Sequence, residues 1–162
     1  MIDYRPMSRA RVSDVLSALR GAFEKNGWHG PTVRGAVRGV TAREARRRPS
    51  RAHHSIHELV DHIGHWEAVV LRRHLRRETP SWRGRRDWTR PDRSFADSVG
   101  AMEEGHRALV SAVAALDDPD LDRRVKTSSG PRPLSEVLHG LAAHDAYHAG
   151  QIRLARTLLR AR

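Results

Sequence analysis

The chain contains no cysteine. That excludes disulfides, thiolate metal sites and a cysteine nucleophile, so any thiol in its chemistry must be brought by another molecule. No apolar run approaches the roughly 18 residues of a membrane-spanning helix. The opening stretch Met1-Ile-Asp-Tyr-Arg-Pro-Met-Ser-Arg9 has no apolar core of signal-peptide length, so a cytoplasmic protein that does not engage membranes is expected. Aromatic residues make up only 5% of the chain, which leaves most of the core to aliphatic side chains. Lysine is almost missing: of 30 cationic residues only Lys25 and Lys126 are not arginine. Strand-like alternation of useful length is absent too, and this argues for an all-α protein.

Arginine and histidine are what the chain has in quantity. The net charge of +11 raises the question of a polyanion partner. Phosphate contacts would use lysine as well as arginine, so the arginine skew weakens that reading. A length of 162 residues suits one domain spanning the whole chain.

Apolar residues at helical spacing mark four long segments. The first runs from about Ser8 to Lys25, with Val12, Val15, Leu16, Leu19, Ala22 and Phe23 on one face and Asn26-Gly27 as its stop. After the loop Trp28-His-Gly-Pro31, a short helical turn opens at the capping pattern Thr41-Ala-Arg-Glu44 and ends before Pro49. The second long helix opens at another capping box, Ser55-Ile-His-Glu58, and continues to about Arg77. Thr79–Arg93 is polar, carries Pro80, Gly84 and Pro91, and reads as a loop long enough to cross from one end of a bundle to the other. The third helix opens at Ser94 and stops at Asp117-Asp-Pro119. Ser128-Ser-Gly-Pro131 reads as a turn, Pro133 suits a first helical position, and the fourth helix runs to the C-terminus. The expected fold is a four-helix bundle with a long crossover between helices two and three.

The apolar face of the fourth helix is interrupted by chemistry. Leu134, Val137, Leu138, Leu141, Ile152, Ala155 and Leu159 share it with His144 and His148. Two imidazoles one turn apart can grip a metal ion from a single rigid element, but a third ligand is needed. Helix two offers His57, His62, His65 and His74. His62 faces the interior edge with Leu59 and Trp66, whereas His57 and His65 rotate onto a face with Asp61 and are expected in solvent. His106, on the stripe of helix three, competes as a ligand, its ordinary reading being a hydrogen-bonded core histidine. The set His57, Asp61 and His65 has ligand chemistry, but consecutive turns of one helix close no cavity.

In these segments the chain resembles the DinB/YfiT-like family of metal-dependent enzymes. The resemblance covers nearly the whole chain. It is densest in Trp28-His-Gly-Pro31, in Ser55-Ile-His-Glu-Leu-Val-Asp-His62-Ile-Gly-His-Trp66-Glu67, and in His139-Gly-Leu-Ala-Ala-His144-Asp-Ala-Tyr-His148-Ala-Gly-Gln151-Ile152. It implies a four-helix bundle, frequent homodimers, and one divalent ion held by His62, His144 and His148. It supplies no substrate, since relatives include thiol S-transferases, a thiol-dependent isomerase and hydrolases.

Three neutral imidazoles leave an ion its full charge and open positions, as catalytic rather than structural sites do. Zinc, nickel and iron all suit such ligands. The expected chemistry is hydrolysis by a bound water, or transfer of a low-molecular-weight thiol held as thiolate, on a small-molecule substrate. Gln151, one turn beyond His148, can assist a bound water or substrate, or simply pack. Asp145 and Glu67 can fix the tautomer of ligand imidazoles, although ion pairing with arginine is the preferred use for Glu67. Trp66, His106, Trp28 and His29 are further candidates for the pocket wall, although anchoring the loop against the bundle is the preferred use of Trp28 and His29. Two alternatives stand beside the enzyme: a metal-binding bundle without activity, and a nucleic-acid module in which the arginines of Arg72–Arg93 flank Trp82 and Trp88. The latter lacks any recognised reading motif and leaves the histidines unexplained.

Overall fold

The computed structural model describes residues 9–25, 27–78 and 88–161. Among the described residues the chain is mostly helical, with one small antiparallel sheet. Four long helices carry it: α1 (Ala10–Phe23), α4 (Ile56–Val69), α5 (Phe95–Ala114) and α6 (Leu134–Arg160). Two single-turn helices, α2 (Val33–Val37) and α3 (Ala42–Arg46), lie between α1 and α4. Helix α4 packs on α5 and α6, and α1 packs on those same two.

The starts of these helices follow from their caps. The Thr32, Thr41, Ser55 and Ser94 hydroxyls each accept the backbone N–H three residues on, satisfying donors that a helix start leaves open. At Ser55 the box is complete, with the Glu58 carboxylate accepting the Ser55 N–H at 2.8 Å.

Two expectations change. Helix two does not remain α-helical to Arg77: it widens into a π-helical turn over Val70–Leu75. Arg77 then takes a left-handed φ of 55°, and the Glu78 N–H reaches back to the Arg72 carbonyl. The chain is also not purely helical. Strands β1 (Arg124–Thr127) and β2 (Gly130–Pro133) pair antiparallel, Thr127 opposite Gly130, around Ser128-Ser129. Gly130 holds φ at 101°, which a side chain would resist. Two prolines in β2 are tolerated because a two-stranded ribbon consists only of edges.

The apolar core falls into two clusters. One gathers Phe23, Ile56, Leu59, Ile63, Met102, Ile152 and Leu159. The other gathers Leu19, Val70, Leu109, Val113, Leu134 and Leu138. Helices α5 and α6 contribute to both, as does α4 together with the π-helical turn that continues it. Where they pass from one cluster to the other, each carries a buried polar residue: Glu67 on α4, His106 on α5 and Asp145 on α6. This polar layer lies against the candidate site.

Candidate metal centre

His62 on α4 and His144 and His148 on α6 converge: each offers one ring nitrogen, and these atoms lie within 4.8 Å of one another. The Nε2 atoms of His62 and His144 are 3.0 Å apart. His62 and His148 are buried and His144 is partly so. The convergence is the consequence of helical phase, with His144 and His148 on adjacent turns and α4 packed alongside.

The second nitrogens are tied down. His144 donates from Nδ1 to Asp145 Oδ1 at 3.3 Å, and His148 donates from Nδ1 to Gln151 Oε1 at 2.7 Å. With the Nδ1 proton so placed, each ring keeps its Nε2 lone pair for the common point. Such a donor set fits a divalent ion: three neutral nitrogens, two of them with their tautomer fixed by an acceptor. Gln151 also donates to the Tyr147 hydroxyl at 2.9 Å. Its amide thus spans Tyr147 and His148, which places it as a holder of His148.

Behind the histidines lies the polar layer. Asp145 and Glu67 are fully buried, and neither is paired with an arginine among the described residues, contrary to the sequence expectation for Glu67. Instead Glu67 Oε1 accepts from His106 Nδ1 at 2.7 Å. Burial first, and then the neighbouring Asp145, push the Glu67 carboxyl well above the usual carboxylate range. Burial also raises Asp145, while His144 pulls it down. Both shifts favour holding a proton in this layer, since two buried neighbouring carboxylates resist being charged together. His106 stacks flat on Phe23 at a ring separation of 3.8 Å and is 1% exposed. It is a bonded core histidine outside the cluster of three.

His57 departs from expectation. It is buried, bonded to Ser98 Oγ at 2.9 Å and set edge-on to Phe95, because α5 packs over the face of α4 that the helical wheel assigned to water. Trp28 departs too. It is 96% exposed in its loop with His29 edge-on beside it, so it neither lines a pocket nor anchors the loop. Trp66 stands at the rim, its ring 6.4 Å from that of His62 and 6.3 Å from that of His144.

Trp88 is the site residue that the sequence did not reveal. Its ring lies parallel to His62 at 3.8 Å and parallel to His54 at 3.6 Å, sandwiched between them. Both faces are therefore covered, which removes it as a platform for stacking a base. The only signal was its place six residues before the Ser94 cap, and no periodicity marks such a position. Trp82, Arg83, Arg85 and Arg86 lie outside the described residues.

Neither a curated protein nor a solved structure matches the chain. The family model of the DinB superfamily matches residues 28–152, a span that contains all three converging histidines and both carboxylates, and the chain belongs to that superfamily.

Proposed function

We propose that His62, His144 and His148 hold one divalent metal ion, and that the protein is a metal-dependent enzyme acting on a small molecule by thiol S-transfer or hydrolysis. The observation that carries this reading is the convergence of three ring nitrogens from two packed helices. Membership of the superfamily supports it. When bound, such an ion supplies Lewis acidity that favours the deprotonated form of a water or thiol nucleophile. The chain's own part is orientation. Asp145 and Gln151 fix two imidazoles, and Trp88, backed by His54, stacks over the third. With no cysteine present, S-transfer needs a low-molecular-weight thiol as cosubstrate. Within this reading the four long helices form the bundle of the family, a crossover joins α4 to α5, and the protein works in the cytoplasm as a homodimer. Among the described residues no helix is long and apolar enough to cross a membrane.

Metal analysis of untagged protein tests the proposal. Wild-type protein is expected to carry about one equivalent of zinc, nickel or iron, and His62→Ala, His144→Ala and His148→Ala are each expected to lose it. Full occupancy in His148→Ala combined with loss in His65→Ala would move the site to the other face of α4 and sink this assignment.

A further inference from the structure

Next to the three-histidine centre lies a cavity of about 970 Å³, a size that accommodates a small organic molecule. Trp88 is the shared wall: it lines this cavity and lies face to face with His62. Arg46, Arg48, Arg90 and Arg93 also line it. Two of the four are neutralised, Arg48 by Glu58 and Arg93 by Asp61 at 3.5 Å. The exposed side chains of Arg46 and Arg90 have no ion pair or hydrogen bond with any described residue, and Asp92 is the one remaining acid of the lining. The helices α4 and α5 both begin on this cavity, at Ser55 and Ser94, so the positive ends of two helix dipoles add to the arginine charge. His57, also on the wall, has its pKa lowered chiefly by burial; Asp61 opposes this, and Arg46 and Arg93 add to it.

We propose that this cavity binds the carboxylate or phosphate group of a small molecule, with Arg46 and Arg90 as its charge partners, and so selects anionic substrates for the adjacent centre. The cavity's uncompensated cations are the basis of the claim. Both side chains are exposed, Arg46 at the end of α3, and both line a cavity on which two helix starts already favour an anion. Arginine also suits the task chemically, because its planar fork meets a carboxylate or phosphate through two parallel hydrogen bonds. The assignment of the bound molecule as substrate rests on the metal-enzyme reading. The anion site itself does not.

Calorimetric titration of the purified protein with inorganic phosphate and with succinate provides the test, and separate titrations distinguish the two anion types. Saturable one-to-one binding of at least one probe is expected. The double variant Arg46→Gln/Arg90→Gln should weaken it tenfold or more. Arg107→Gln/Arg153→Gln, which removes the same charge from positions outside the cavity, should change it less than twofold. Metal content is measured on every sample, so loss of metal in wild-type protein with anion binding intact defeats the enzyme reading alone. Absence of saturable binding by either probe, or equal weakening in both double variants, would overturn the anion site.

Discussion

His106 ties the stability of the core to pH. Its burial, and then the positive field of Arg34 and Arg20, lower its pKa from 6.5 to about 4. Between those values the unfolded chain takes up a proton that the folded imidazole refuses, so stability falls as pH drops from about 6.5 towards 4. The full loss is about 3 kcal/mol. His57 and His74 are lowered by burial as well and act in the same sense. The raised Glu67–Asp145 pair acts in the opposite sense, since the folded state holds a proton there that the unfolded state releases. Replacing one histidine isolates its share: His106→Asn should show a shallower fall of urea stability between pH 7 and 5 than wild-type protein, and identical slopes would refute the assignment. At this scale the sequence was legible where a residue's role follows from its own helix. His62, His144 and His148 converge as their phase requires, and His106 is the bonded core histidine that its stripe suggested. It was illegible where a neighbouring element decides. His57 is buried by α5, Glu67 meets an acid and an imidazole from two other helices, and Trp88 reaches its sandwich from a segment without periodicity.

The helix starts were readable because a cap is a local bargain between one side chain and the backbone three residues on. Ser55 makes the sharpest case. Its hydroxyl accepts the Glu58 N–H, Glu58 accepts the Ser55 N–H, and Arg48 binds the same carboxylate through Nε at 3.0 Å. Helix α4 is thereby pinned at the end nearest His62. Ser55→Ala should lower the free energy of unfolding by about 1 kcal/mol, with the metal content of the folded protein unchanged, as read by denaturant titration and metal analysis. A loss of metal without loss of stability would show that the cap positions the site rather than the helix. The other end of this helix was not readable. Its π-helical turn is met by the Arg123 guanidinium, 49 positions away, which donates to the His74 carbonyl at 2.8 Å. The hairpin escaped notice for a related reason: only Val125 of β1 turns into the core, and four residues are too few for alternation to stand out against arginine-rich surroundings.

Across the whole molecule, the two apolar clusters and the polar layer between them decide how the fold should respond to metal removal. Leu134, Leu138 and Leu141 on one side and Ile152, Ala155 and Leu159 on the other clamp α6 without any help from the histidines. Each buried leucine or isoleucine contributes about 1.5–3 kcal/mol, so either cluster outweighs the loss of three ligand bonds to the fold. Two of the three imidazoles also keep hydrogen-bond partners of their own, Asp145 and Gln151, and need no ion to hold their orientation. A site of this kind is built by the fold, whereas a closed structural site builds the fold around itself. Treatment with a chelator should therefore leave the helical circular-dichroism signal intact while lowering the thermal midpoint. The expected loss is what mass action gives for a ligand bound only by the folded state, about 2.7 kcal/mol at a metal concentration one hundred times its Kd. Collapse of the helical signal on chelation would assign the ion to structure, and would remove the open coordination position on which small-molecule chemistry at this centre depends.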